Sequence, residues 1–255
     1  HASQTVIRLL VAALLIFLVF APALTGFSLE VPANLSASQP GVAEVFQSIS
    51  ELAPEANVLV AADYEAGLSG ELTTAALPVL RYLQTRQANV FVVSTVPAGP
   101  VLGEALLSQA SITPVASFGY LAGGTHALKL IGAHATSELP DPLQQAIPFP
   151  DGQAWNNPGL QGMKDITAFQ RILVLTDSVE NARAWVEQVQ PNLGPQTQIL
   201  LVSSAQAAPL VRTYLESGQI SGVVSGLAGG AAFEQLSQQS GPSSASWTAY
   251  QLTMG

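Results

Sequence analysis

Polar residues close a series of apolar runs in this 255-residue chain, and their types decide what chemistry is open to it. Asp63, Tyr64 and Glu65 end one run, Ser94 and Thr95 a second, Gly119 and Tyr120 a third. Asp177 with Ser178, Ser203 with Ser204 and Gln206, and Ser225 with Gly226 end three more. Asp63 beside Glu65 or Asp177 is the kind of carboxylate pair that serves acid–base work or holds a hard cation. Ser94 or Ser203 with His126 and Asp177 supplies the types of nucleophile, base and orienting acid. Gly123-Gly124 before Thr125, and Gly229-Gly230 before Ala231, would open helices whose free N–H groups favour an anion.

Each has a plainer structural role. Acids at strand ends cap helices or stay solvated, and glycines let a strand turn tightly into a helix. Ser69 in Gly67-Leu-Ser-Gly70 lacks the spacing of a nucleophile elbow, and neither a G-x-G-x-x-G nor a G-x-x-x-x-G-K-[ST] motif occurs. We therefore assign no catalytic residue, metal ligand or cofactor. The ligand-binding candidates are Asp63, Tyr64, Ser94, Thr95, Gly123, Gly124, Asp177, Ser203, Ser204, Gly229 and Gly230.

Composition narrows the classes further. Seventeen Asp+Glu face eight Lys+Arg, and only Lys129 and Lys164 are lysines, so the basic footprint of a nucleic-acid binder is missing. Without cysteine there are no disulfides or thiolate sites, and His1, His126 and His134 are not spaced as metal ligands.

These residues are positioned by alternating strand and helix patterns. Residues 28–40 read as a linker, followed by a helix at Val42, Val45, Phe46, Ile49 and Leu52. Strands are expected at Asn57–Ala62, Val90–Val93 and Thr113–Ser117, with an intervening helix striped by Leu72, Ala76, Val79 and Leu83 that Pro78 should kink or delay. A second helix opens at Gly99-Pro100, and a third covers Thr125–Ile131. Residues 135–168 break the rhythm with Pro140, Pro142, Pro148, Pro150 and Pro158, as a lid, a docking surface or a linker would. Strands then follow at Arg171–Leu175, Gln198–Val202 and Ile220–Val224, with helices Val179–Val189, Ala207–Glu216 and Ala231–Leu236. The expected fold is α/β: a doubly wound, mostly parallel, Rossmann-like sheet over residues 41–245. Two halves, about 55–134 and 169–238, repeat an order of signals, each reaching Leu-Ala-Gly-Gly at 121–124 and 227–230. They suggest pseudo-repeated βαβαβ units with a crevice where strand order reverses.

Ahead of this domain, Leu9–Leu24 is uncharged and almost wholly apolar. Val6–Leu24 gives about 28 Å of helix, close to the roughly 30 Å of a bilayer's hydrocarbon. Residues 1–27 thus read as a transmembrane anchor; the rival is a secretory signal, with Ala21-Pro-Ala23 as its cleavage site. Arg8 before the span puts the N-terminus in the cytoplasm and the domain outside.

Four stretches, Val58–Glu65, Val93–Pro100, Phe118–Gly124 and Tyr214–Gly230, resemble an uncharacterised group of prokaryotic membrane-anchored proteins with a Rossmann-like domain and flanking transmembrane helices. The resemblance spans most of residues 55–255 and implies fold and topology, not catalytic residues. It also implies that Trp247, Tyr250 and Leu252, in residues 246–255, begin a second membrane helix. The expected function is a membrane-anchored, non-enzymatic accessory or scaffold subunit. Its partners would be membrane lipid and integral membrane proteins or further copies of itself. The alternatives are a tethered domain that binds or senses a small anionic ligand, and a hydrolase using Ser or Asp at the strand ends.

Overall fold

The computed structural model describes residues 2–25, 35–134, 142–147 and 154–254. Helix α1 (Ala2–Thr25) precedes two shorter helices, α2 (Leu35–Ser38) and α3 (Val42–Ser50). The first half is then β1 (Asn57–Asp63), α4 (Ser69–Thr85), β2 (Asn89–Ser94), α5 (Gly99–Gln109), β3 (Ala116–Tyr120) and α6 (Thr125–His134). After α7 (Pro142–Ala146) come β4 (Arg171–Thr176), α8 (Val179–Gln188), β5 (Gln198–Ser203), α9 (Ala208–Glu216), β6 (Gly222–Ser225), α10 (Gly226–Leu236) and α11 (Pro242–Met254).

The six strands form one all-parallel sheet in the order β3-β2-β1-β4-β5-β6. This is the doubly wound, Rossmann-like α/β arrangement, with the reversal of strand order between β1 and β4. Strand residues alternate between two cores. Val58, Val60, Ala62, Leu173 and Leu175 pack under α3, α4, α5 and α10, while Leu59, Ala61, Ile172 and Val174 pack under α6, α7, α8 and α9. Burial on both faces explains why the strands read as unbroken apolar runs.

Several elements differ from the sequence expectation, each for a physical reason. The third strand starts at Ala116, three residues later than expected. Ser111 turns left-handed (φ 59°), Ile112 N–H closes back on the Leu107 carbonyl, and Pro114 has no N–H to give a ladder. Helix α4 starts at Ser69 and runs through Pro78, which is buried within it. Helix α10 starts at Gly226, so Gly229 and Gly230 lie inside it rather than opening it. The two Leu-Ala-Gly-Gly tetrads are therefore not equivalent: Gly123 and Gly124 form a left-handed turn ahead of α6 (φ 108° and 51°), whereas Gly230 is a close-packing position.

Of the expected linker, residues 28–34 lie outside the described residues, and Leu35 of α2 is buried. Of 135–168, residues 135–141 and 148–153 also lie outside them. The described remainder packs inward, with Leu143, Ile147, Leu160 and Ile166 buried within the crossover that returns the chain from edge strand β3 to central β4.

Helix α1 is long and apolar enough to cross a membrane, its window Gln4–Ala21 having a mean hydropathy of 2.4. Within that window its side chains are exposed from Gln4 to Phe17, and only Leu18 and Ala21 reach half-burial. The helix packs against α11, which begins at Pro242 and also packs against α10 and α4.

Candidate functional site

Strand order reverses between β1 and β4, so the carboxyl ends of these strands are where a doubly wound sheet would place a ligand. Asp63 ends β1 with no solvent exposure. Its Oδ1 accepts from Thr95 N (2.6 Å) and faces Ser94 Oγ at 3.0 Å; its Oδ2 accepts from Thr95 Oγ1 (2.8 Å) and Trp185 Nε1 (2.6 Å). The carboxyl is thus bonded wholly within its own chain. Burial raises its pKa above the ordinary 3.8, and the hydrogen bonds from Trp185, Thr95 and Ser94 pull the other way without cancelling that rise.

The neighbours complete the closure. Tyr64 is buried, and desolvation plus the Asp177 charge push its phenol up to about 12. Asp177 Oδ2 accepts from Glu65 N at 3.0 Å, and Asn181 Nδ2 donates to the Asp63 carbonyl at 3.1 Å. Ser178 caps α8 by accepting from Glu180 N and Asn181 N. Ser94 Oγ lies 2.8 Å from the Ala62 carbonyl and accepts from Val96 N. A Cβ at Gly99 would come within 2.0 Å of that hydroxyl, so glycine lets α5 begin against the strand end.

The structure therefore brings Asp63, Ser94 and Thr95 together, but as a buried knot. Ser203 and Ser204 are buried farther along the edge, where Ser203 Oγ lies 2.8 Å from Ser225 Oγ. Among the described residues no hydrogen bond joins Ser94 or Ser203 to an imidazole, and His126 is exposed on the first turn of α6. Gly123 is exposed and Gly124 half-buried in their turn, while Gly229 and Gly230 are buried inside α10. Among the described residues no three carboxylate or imidazole side chains gather as a metal site.

The open space lies elsewhere on the same edge, past the ends of β5 and β6. A cavity of about 430 Å³ is bounded by Val42, Glu71 of α4, Arg212 of α9, Ser225 to Ala228 at the β6–α10 junction, and Trp247 with Tyr250 of α11. Glu71 Oε1 accepts from Ala205 N at 2.9 Å. Gly226 is left-handed (φ 57°), and a Cβ there would lie 2.9 Å from Glu71 Oε1. Ser225 and Gly226 stand among the strand-end polar residues of the sequence. Glu71, Arg212 and Trp247 carry no such signal, because their convergence depends on three helices meeting at one sheet corner.

No protein-family model matches this chain, and no curated protein is similar to it.

Proposed function

We propose that the chain is a membrane-tethered, non-enzymatic accessory or scaffold module. In this reading α1 crosses the bilayer and the α/β domain is presented on the extracytoplasmic side to integral membrane partners or to further copies of the chain. The observation that carries it is the state of α1: Leu9, Leu10, Leu14, Ile16, Phe17 and Phe20 are each more than half exposed. A helix apolar on all sides and exposed along most of its length, touching the domain through α11, matches a lipid-facing span. The buried, internally bonded Asp63 supports a role without catalysis at the strand-order switch.

The test is fractionation of native membranes carrying the full chain. The chain should stay with the bilayer through alkaline carbonate extraction, and cross-linking in the membrane should give a discrete species larger than the monomer. Release into the soluble fraction would overturn the tether, and a lone monomer in the membrane would overturn the accessory role. A turnover abolished by Asp63→Asn, Ser94→Ala or Ser203→Ala, in variants that still fold, would favour the hydrolase instead.

A further inference from the structure

We propose that the cavity beyond β5 and β6 binds a compact zwitterion. Its acid group would meet Arg212, its ammonium group the open oxygen of Glu71, and its apolar body the wall formed by Val42 and Trp247. The α11 wall of this cavity also packs against α1.

The charges at this cavity are matched but not joined. Among the described residues the ion pairs are those of Arg183 with Glu180 and Glu187; Arg212 makes no ion pair or hydrogen bond with them. Glu71 spends Oε1 on the Ala205 amide, and among the described residues no donor reaches Oε2. Arg212 is exposed to solvent on α9, so its guanidinium is free to exchange water for the acid group of a ligand entering the cavity. A ligand with both signs of charge would satisfy both groups at once. A polyphosphate would not, since one cation faces it and Glu71 repels it.

The walls fit the rest of such a ligand. Trp247 and Tyr250 stack with ring centroids 5.8 Å apart and planes 25° from parallel, presenting aromatic surface one helical turn apart. Gly226 leaves room for the Glu71 carboxylate at the cavity floor, where any side chain would displace it. A volume of about 430 Å³ lies in the range of small-molecule sites and suits an amino acid or short peptide. The same pairing of ammonium with acid occurs in a phosphoethanolamine headgroup, so the ligand's source is either soluble or lipid.

The experiment uses the full chain in detergent, titrated with leucine, phenylalanine, leucyl-leucine and glycerophosphoethanolamine while calorimetry and tryptophan fluorescence are recorded. At least one probe should bind in the millimolar range or tighter. Arg212→Met and Glu71→Gln should each weaken it by about tenfold or more, and blocking the ligand's amine by acetylation or its acid by amidation should do the same. Trp247→Phe should remove the fluorescence change. Among the described residues Arg212 has no hydrogen bond or ion pair to lose, and the amide oxygen introduced by Glu71→Gln can still accept from Ala205 N, so both variants should fold, as their thermal melts would show. Binding by the amino acids and peptide alone would assign a soluble source, and by glycerophosphoethanolamine alone a lipid one. No binding by any probe, affinity unchanged in either variant, or acetylated ligand binding as well as free ligand would overturn the proposal.

Discussion

Ser243 Oγ of α11 donates a 2.7 Å hydrogen bond to the Thr74 carbonyl of α4, which lies four residues before Pro78. A helix carbonyl at that position ordinarily receives the N–H of the residue four places on, and proline has none. The hydroxyl of another helix supplies what the proline lacks. Close approach is possible because Gly230 of α10 has no side chain: a Cβ there would fall 2.4 Å from Ser243 Oγ and 3.0 Å from Ala75 Cα.

Ser243→Ala should therefore destabilise the domain by about 1–2 kcal/mol, the cost of a half-buried carbonyl left without its hydroxyl partner. In a Pro78→Ala background the restored backbone N–H would occupy that carbonyl, and the same serine deletion should cost much less. A double-mutant cycle in urea denaturation should give a coupling of about 1 kcal/mol. Additive effects would show that Ser243 does not stand in for the missing N–H.

This relationship also marks where sequence reading stops. The strands are legible because burial on both faces writes continuous apolar runs such as Val58–Ala62. The helix containing Pro78 reads as kinked or late, because its compensation comes from Ser243, far along the chain and visible only in three dimensions. Gly229 and Gly230 read as a helix opening because they stand directly before the pattern Ala231–Leu236, as Gly123 and Gly124 stand before Thr125–Ile131, yet one pair turns the chain and the other admits a neighbouring helix. Asp63, Ser94 and Thr95 group together by their places at strand ends, and they do meet. That their donors and acceptors would satisfy one another, with Trp185 closing the set, is a matter of side-chain geometry that spacing does not encode.

The docking of α11 should depend on Glu234. This fully buried carboxylate of α10 accepts from Ser243 N (2.9 Å), Ser244 N (2.8 Å) and Ser244 Oγ (2.5 Å), capping the first turn of α11 from outside its own helix. Glu234→Gln would turn an amide N–H₂ toward one of these donors and remove the negative charge from the helix start. The expected loss is about 1.5–3 kcal/mol, the range for hydrogen bonds to charged groups. Hydrogen exchange at Ser243 and Ser244 should accelerate before the rest of the domain responds. Unchanged exchange at these two amides would show that the carboxylate does not hold α11.

Asp63 gives a prediction with a definite sign in pH. Its oxygens face Thr95 N and Ser94 Oγ on one side, and Thr95 Oγ1 and Trp185 Nε1 on the other. Either orientation of an asparagine amide would set its N–H₂ against the Thr95 N–H or the Trp185 N–H, so Asp63→Asn should cost about 1–3 kcal/mol. Burial raises the folded-state pKa above the ordinary 3.8, so between those two values the folded protein holds a proton that the unfolded chain has released. Stability from this group is then fully present below pH 3.8 and is lost as pH rises through the folded value. The asparagine variant lacks that titration. Its deficit relative to the parent, measured by denaturation across a pH series, should be largest at acid pH and should shrink on the alkaline side of the folded pKa. A deficit that grows as pH rises through this window would mean that the four contacts outweigh desolvation and that the folded protein favours the ionised carboxylate.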